Sequence, residues 1–149
     1  MVELQIRKMV LEDIPQVLEV EKASFPEPWT SNIFHQELND NMHAHYYVVD
    51  YAGNVIGYSG MWVVIDEAQI TNIAVLPDFR GKKIGERLFG HMMLTALRLG
   101  AERLSLEVRV SNIVAQKMYR KFGLVPGGIR KNYYTDNQED ALVMWVNLR

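Results

Sequence analysis

A basic turn that contains glycine is the first segment of the sequence whose residue types could do chemistry. Residues 80–87 read Arg-Gly-Lys-Lys-Ile-Gly-Glu-Arg and lead from an apolar strand into a long amphipathic helix. Cationic side chains at a helix start oppose the positive end of the helix dipole, so an anion bound by the first-turn N–H groups would explain them. A solvated basic turn is the alternative. The spacing matches neither the Walker phosphate loop nor the Gly-x-Gly-x-x-Gly dinucleotide pattern.

A strand and the helix that follows it contain the next candidates. Residues 103–110 alternate strictly, with Ser105, Glu107 and Arg109 on the polar face. The helix bears Tyr119 on its apolar stripe. Taken alone, Glu107 is a solvent-facing strand residue and Tyr119 is a core aromatic with a satisfied hydroxyl. Only the strand end and the start of the helix separate the two, so both side chains can also face one cleft.

Composition excludes several classes of function. The chain has no cysteine, which removes disulfides, a thiolate nucleophile and cysteine-based zinc sites. Histidines occur at positions 35, 43, 45 and 91 without ligand spacing, so we assign no metal. The net charge of −2, from 16 basic and 18 acidic residues, leaves no basic excess for nucleic acid. No segment approaches the ~20 apolar residues of a membrane span. We therefore expect a cytoplasmic protein that binds neither nucleic acid nor membranes.

The pattern of apolar residues predicts a single mixed α/β domain over residues 1–149, with 48% apolar residues to build its core. The predicted order is strand, two helices, three strands, helix, strand, helix and two strands. Three consecutive antiparallel strands span residues 46–76, with a hairpin turn at residues 52–54. The third of these strands ends in an apolar run that is typical of a central strand covered on both faces. The closing strands lie around residues 124–133 and 141–148.

Residues 70–85 resemble motif A of the GNAT superfamily of N-acetyltransferases, whose pattern is Arg/Gln-x-x-Gly-x-Gly/Ala. Arg80 and Gly85 match the ends of this pattern, whereas Lys83 replaces its middle glycine and leaves Gly81 as the other flexible point. The resemblance implies a mostly antiparallel sheet of about seven strands flanked by helices. It also implies that bound acetyl-CoA splays the strand at residues 70–76 from the strand at residues 104–110.

The same resemblance assigns residues to the cofactor. The implied contacts are Ile73, Ala74, Val75, Arg80, Gly81, Lys82, Lys83, Ile84, Gly85, Glu86 and Asn112. The first three would act through backbone groups, since their side chains offer no hydrogen bonds, and Asn112 is also a plausible helix N-cap. For Lys83 we expect the N–H to serve the anion and the side chain to point into solvent. On this basis Lys83→Gly should keep cofactor affinity within a few-fold and slightly loosen the helix start.

Residues 106–123 resemble one particular branch of this superfamily. They are similar to the Leu-Glu-Val-Arg-x-Ser-Asn…Ala-x-x-x-Tyr-x-x-x-Gly signature of the RimI branch, the ribosomal-protein N-terminal alanine acetyltransferases. Residues 130–134 also resemble that branch, although Thr135 stands where a proline often follows. The likeness covers nearly the whole chain. It implies direct acetyl transfer to the N-terminal alanine of a ribosomal protein, with Glu107 as general base and Tyr119 as general acid.

The expected substrate is a protein N-terminus. An α-amino group titrates near ~8 and a lysine side chain near ~10.4. A carboxylate base therefore removes a proton from an α-amino group at a lower cost in free energy. Trp29, Tyr133 and Tyr134 are candidates for lining the peptide groove, although such aromatics are as often ordinary packing. Four acidic residues would favour a cationic substrate or be solvated loop charges: Glu27, Asp136, Glu139 and Asp140. The rival functions are acetylation of a lysine or polyamine, and non-catalytic binding of acyl-CoA.

Overall fold

The computed structural model of the protein describes residues 3–149. Its strands and helices follow the predicted order. They are β1 (Leu4–Lys8), α1 (Ile14–Ser24), α2 (Ser31–Asp40), β2 (Ala44–Tyr51), β3 (Asn54–Val64), β4 (Glu67–Val75), α3 (Ile84–Arg98), β5 (Arg103–Arg109), α4 (Ile113–Lys121), β6 (Val125–Arg130) and β7 (Ala141–Asn147). Short 3₁₀ turns at Leu11–Asp13 and Pro77–Phe79 precede α1 and α3.

Seven strands form a hydrogen-bonded sheet in the order β1-β2-β3-β4-β5-β7-β6. β1 with β2, β2 with β3, β5 with β7 and β6 with β7 pair antiparallel, whereas β4 and β5 are parallel. The parallel ladder joins Glu67–Gln69 to Arg103–Ser105, at the start of both strands. The mixed α/β class with a mostly antiparallel sheet is therefore confirmed, as is the central position of β4. The splay of β4 from β5 stays a prediction.

Internal contacts divide the described residues into two compact units. Unit 1 holds residues 3–62 and Thr71–Met92, and unit 2 holds Val63–Ile70 and Met93–Arg149. β3, β4 and α3 contribute residues to both units. That the whole chain acts as a single domain stays a prediction.

Aromatic rings fill the core of unit 1. Phe34 of α2 is fully buried, and its ring centroid lies 5.4 Å from that of Trp29, 5.6 Å from that of Tyr58 and 6.4 Å from that of Tyr46. Gly60 makes room for the cluster, because a Cβ there would overlap the Tyr46 ring. Truncating a buried phenylalanine costs about 3–5 kcal/mol. This packing fixes α2 against β2 and β3. It also fixes the loop between α1 and α2, which contains Trp29.

In unit 2 the alternation of β5 sorts its side chains as the sequence predicts. Leucines 104 and 106 and Val108 are buried, whereas Ser105, Glu107 and Arg109 are half-buried on the opposite face. β5 pairs with β7 along its whole length. The face that carries Glu107 therefore has a fixed orientation within unit 2.

β6 ends earlier than predicted. The sequence pattern extends this strand to Tyr133, but the strand ends at Arg130. Asn132 has a left-handed φ of +51°, and its N–H donates to Asp140 Oδ1 over 2.9 Å. The chain therefore leaves the sheet and forms a loop, residues 131–140, that we call the tyrosine loop.

Candidate functional site

The turn between β4 and α3 is braced by Arg80. Its Nε donates to the Val75 carbonyl over 2.8 Å, and its Nη2 donates to Ser24 Oγ over 3.2 Å. Ala74 and Val75, at the end of β4, are buried. Arg80 therefore holds the strand end in place, a role that the basic character of the segment did not indicate. Its contact with a cofactor stays a prediction.

Two residues of this turn have a left-handed backbone conformation. φ is +77° at Gly81 and +63° at Lys83. Lys83 stands where the motif has glycine, yet it keeps a conformation that glycine adopts most readily. The replacement changes the side chain and leaves a left-handed backbone in place. Lys83 is exposed, as predicted, and so is Lys82, whose Nζ lies 5.5 Å from the centroid of the Phe79 ring.

The start of α3 offers hydrogen-bond donors to an anion. The helix begins at Ile84, and the Arg87 N–H donates to the Lys83 carbonyl over 3.2 Å to close the first turn. The N–H groups of the first turn of a helix point toward its N-terminal end, where an anion can bind. Together with the lysine side chains at positions 82 and 83, these donors suit a phosphate or diphosphate group.

In unit 2, the carboxylate of Glu107 is held at both oxygens. Gln69 Nε2 lies 3.1 Å from Oε2 and 3.4 Å from Oε1, and Arg130 Nε lies 3.2 Å from Oε1. Gln69 reaches Glu107 because it lies opposite Ser105 in the parallel ladder of β4 and β5. Sequence analysis missed Gln69, since its only signal is a strand register that the local pattern does not contain. Glu107 is thus an oriented carboxylate, 12% exposed, that can accept a proton.

Tyr119 is a buried phenol on α4. Burial and the neighbouring Tyr134 raise the pKa of Tyr119 above its ordinary value, so its hydroxyl is protonated at neutral pH. A protonated phenol can donate a proton, which is what a general acid must do. The acid role of Tyr119 and the base role of Glu107 stay predictions.

Two amide side chains tie α4 to the end of β5. Asn112 Oδ1 accepts from the Ala115 N–H over 3.2 Å, which confirms Asn112 as the N-cap of the helix. The buried Gln116 donates from Nε2 to the carbonyls of residues 109 and 110, over 3.1 and 3.0 Å. These bonds fix the helix that carries Tyr119 relative to β5. The contact of Asn112 with a cofactor stays a prediction.

Arg109 clamps the tyrosine loop to β5. Its Nη2 lies 2.9 Å from Asp136 Oδ1, and its Nη1 lies 3.1 Å from both Glu139 Oε1 and Asn137 Oδ1. Its guanidinium also lies 4.0 Å from the centroid of the Tyr134 ring. Sequence analysis placed Arg109 on the polar face of β5 but missed these partners. Arg109 belongs to β5, the strand that carries the candidate base. Its contacts therefore order the loop that carries the two candidate substrate-binding tyrosines.

The two tyrosines of this loop differ in exposure. Their rings form an edge-to-face pair with centroids 5.1 Å apart. Tyr133 is 46% exposed, whereas Tyr134 is half-buried, and burial raises the pKa of Tyr134 to about 12. Tyr133 is thus the ring that is accessible to a peptide, while Tyr134 packs on Arg109.

Three acidic residues of the tyrosine loop are used to order it: Asp136, Glu139 and Asp140. Glu139 accepts from the Ser111 N–H over 2.8 Å and pairs with Arg109, and these hydrogen bonds lower the pKa of Glu139 to about 2. The Asn132 N–H likewise lowers the pKa of Asp140. Neither a cationic substrate nor bulk water is needed to explain these carboxylates, because each has a partner within the protein.

Trp29 is anchored in unit 1 by a buried carboxylate. The backbone N–H of Trp29 donates to Glu21 Oε2 over 2.7 Å, and the Tyr58 hydroxyl donates to Glu21 Oε1. Burial raises the pKa of Glu21. Sequence analysis missed Glu21, although its place on the apolar stripe of α1 was a signal. Trp29 is half-buried against Phe34, and its role in binding a peptide stays a prediction.

Neither a metal-binding cluster nor a membrane-spanning helix occurs among residues 3–149. No three histidine, aspartate or glutamate side chains in that range are grouped to hold a metal ion. Within the same residues, no helix is both long enough and apolar enough to cross a membrane.

The chain is similar in sequence to known acetyltransferases. The sequence model of the acetyltransferase (GNAT) family matches residues 14–124. Over 143 residues the chain is 55% identical to a Bacillus subtilis protein named "Putative ribosomal protein bS18-alanine N-acetyltransferase", covering 96% of this chain and 95% of that protein. Over 134 residues it is 33% identical to the ribosomal protein bS18-alanine N-acetyltransferase of Escherichia coli, covering 89% of each.

The fold agrees with this similarity. The crystal structure of the ribosomal-protein-S18-alanine N-acetyltransferase from Escherichia coli matches with a TM-score of 0.90 and 30% identity, covering 98% of this chain and 94% of that one. A GNAT family acetyltransferase from Elizabethkingia anophelis with acetyl-CoA bound shares the fold, with a TM-score of 0.80, 21% identity and coverage of 97% of both chains. The family model spans most of the chain, and both sequence relatives exceed 30% identity over at least 89% of it. The chain therefore belongs to the acetyltransferase (GNAT) family.

Proposed function

We propose that this acetyltransferase moves the acetyl group of acetyl-CoA onto the α-amino group of an N-terminal alanine, on a ribosomal protein of the bS18 type. The single observation that carries the substrate is the 55% identity, over 96% of this chain, to the Bacillus subtilis protein. The oriented carboxylate of Glu107 and the buried phenol of Tyr119 support the chemistry. A ribosomal substrate would place the protein in the cytoplasm.

The turn after β4 suits the diphosphate of acetyl-CoA, the cofactor that the family uses. The N–H groups at the start of α3 supply donors, and Lys82 and Lys83 supply positive charge in a left-handed turn. Backbone groups of Ile73, Ala74 and Val75 would hold the amides of the pantetheine arm. Acetyl-CoA bound in this way supplies the activated thioester.

The proposed reaction needs three proton transfers. A substrate α-amine arrives protonated, so Glu107 takes a proton from it, either directly or through one water. The neutral nitrogen then attacks the thioester carbonyl carbon, the N–C bond forms and the C–S bond breaks, and the nitrogen loses its second proton to water. Tyr119 gives a proton to the departing thiolate. Direct transfer requires no acetyl-enzyme, which agrees with a chain that has no cysteine to carry one.

The choice of an N-terminal amine over a lysine follows from the strength of the base. A carboxylate must remove a proton from an amine that titrates near ~8 in one case and near ~10.4 in the other. The difference of about 2.4 units corresponds to about 3 kcal/mol of extra cost at neutral pH for a lysine substrate. A single carboxylate is therefore better suited to a protein N-terminus.

Three amines separate this function from its rivals. The first is an alanine-initiated peptide with an internal lysine, the second is the same peptide with a blocked N-terminus, and the third is spermidine. Each is incubated with the protein and acetyl-CoA, and mass spectrometry locates the acetyl group. We expect acetylation of the α-amine of the first peptide and no modification of the other two. Faster acetylation of the blocked peptide or of spermidine would change the substrate class, and binding without transfer would leave an acyl-CoA-binding module.

A further inference from the structure

The guanidinium of Arg130 forms an ion pair with the carboxylate of Glu107, the group that the proposed mechanism needs as its base. Its Nε lies 3.2 Å from Glu107 Oε1, and its central carbon lies 5.9 Å from the centroid of the Tyr133 ring. The Arg130 side chain is 56% exposed, whereas that of Glu107 is 12% exposed. A carboxylate beside an aromatic face is a site that binds cations. In this structure, that site holds a cation of the protein itself.

The electrostatics around Tyr133 agree with this arrangement. The pKa of the Tyr133 phenol is raised by burial and by the nearby charge of Glu107, and the charge of Arg130 acts in the opposite direction. The charges of Glu107 and Arg130 are therefore close enough to act on the Tyr133 phenol. They also belong to the same unit of the structure.

A substrate ammonium needs the same carboxylate. An α-amine that titrates near ~8 is mostly protonated at neutral pH, and it must reach Glu107 to lose its proton. Two cations at one oxygen repel each other, so Arg130 and the ammonium compete for that place. Gln69 is neutral, and its Nε2 lies nearer to Oε2, at 3.1 Å, than to Oε1, at 3.4 Å, so it can hold the carboxylate while either cation is bound.

We propose that Arg130 is an internal stand-in for the substrate α-ammonium. It pairs with Glu107 in the free enzyme, and the ammonium of the bound peptide displaces it into solvent, while Gln69 keeps the carboxylate oriented. An exposed arginine can leave such a pair at low cost. Arg130 thus sets the affinity for cationic substrates without taking part in proton transfer. This inference rests on the proposed role of Glu107 as base.

The test compares two substitutions that remove the same charge. Arg130→Gln breaks the pair with Glu107. Lys131→Gln, at the next residue, removes an 80% exposed lysine that pairs with Asp140 at 3.4 Å. With an alanine-initiated peptide we expect Arg130→Gln to lower the peptide KM about two- to fivefold, the range for an exposed ion pair, with kcat and the acetyl-CoA KM unchanged. Lys131→Gln should leave the peptide KM within twofold. A peptide KM that stays the same or rises in Arg130→Gln would overturn the proposal.

The acetylated product peptide supplies a second readout, because its N-terminus carries no charge. Its inhibition constant should be the same in the wild type and in Arg130→Gln. If product and substrate both bind more tightly to the variant, Arg130 acts by blocking space, and the stand-in role is wrong.

A double substitution separates this inference from the proposed function. In the Glu107→Gln background, Arg130→Gln should no longer change the peptide KM, since there is no carboxylate to compete for. A persisting effect on KM would overturn the stand-in role alone. Retention of wild-type kcat by Glu107→Gln would instead remove Glu107 as the base, whatever Arg130→Gln does.

Discussion

Replacing Lys83 by glycine should stabilise the protein. Lys83 has a φ of +63°, and a left-handed backbone costs an L-residue with a side chain about 1–2 kcal/mol. Glycine avoids that strain but loses about 0.5–1 kcal/mol more in conformational entropy on folding. The balance favours glycine by about 0.5–1 kcal/mol. From helix propensity alone, Lys83→Gly was expected to loosen the helix start slightly. The observed φ of Lys83 reverses the sign of that expectation.

Thermal unfolding measures this effect. For a chain of this size, 1 kcal/mol corresponds to a shift of about 2–4 °C, so Lys83→Gly should raise the Tm by about 1–4 °C. Lys83→Ala is the matched control, because it removes the charge and keeps the strain, and its Tm should stay at the wild-type value. Lys82→Gly should lower the Tm, since the described residues with a left-handed φ do not include Lys82. A Tm for Lys83→Gly at or below that of Lys83→Ala would refute the reasoning.

The same position tests how the turn binds its anion. Lys83→Gly should change the Kd for acetyl-CoA by no more than a few-fold, because the N–H and the left-handed turn are both kept. Lys83→Pro removes the N–H and fixes φ near −65°, so it should weaken binding far more. Small and equal effects of both substitutions, measured by calorimetry, would show that the turn does not use this donor.

Four further predictions concern unit 2. Glu107→Gln should lower kcat by roughly 10²–10⁴ in steady-state assays while calorimetry gives an unchanged Kd for acetyl-CoA, because only the proton acceptor is lost. Tyr119→Phe should slow turnover and keep the Tm, since the packed ring remains and only the hydroxyl is removed. Arg109→Gln should raise the peptide KM and speed hydrogen exchange in residues 131–140. Arg103 lies on the same strand as Arg109 and stacks on the ring of Trp145, so Arg103→Gln should do neither. Because folding lowers the pKa of Glu139 from 4.5 to about 2, its contribution to stability should be complete above pH 4.5 and lost as the pH falls toward 2. Denaturant unfolding of Glu139→Gln should lack that acid-dependent loss.

The order of elements was predictable because each element buries one face. The alternation of β5 places its leucines inside and Glu107 on the opposite face, and the structure keeps that arrangement. The same local reasoning overextended β6 to Tyr133. The strand ends at Arg130 because the loop after it is ordered by contacts with residues distant in the sequence, such as Arg109 with Asp136.

The partners of the candidate site were not predictable from local pattern. Gln69 meets Glu107 through the register of a parallel ladder, and Arg130 meets it from the last residue of another strand. These contacts depend on strand pairing, which periodicity does not specify. Lys83 shows the converse limit, since its residue type suggested a less flexible turn while the surrounding structure holds it in the left-handed conformation. Residue types thus indicated which side chains could react, and the three-dimensional pairing supplied their partners.

The most direct test of the proposed function is the rate of α-amine acetylation on an alanine-initiated peptide, followed from about pH 6 to about pH 9 with wild-type protein and with Glu107→Gln. If Glu107 removes the proton, the wild type should be faster at neutral pH by roughly 10²–10⁴. That gap should narrow as the pH passes about 8, because the amine then loses its proton without help. Equal rates for the two proteins at neutral pH, or acetylation of the internal lysine in place of the N-terminus, would contradict the account.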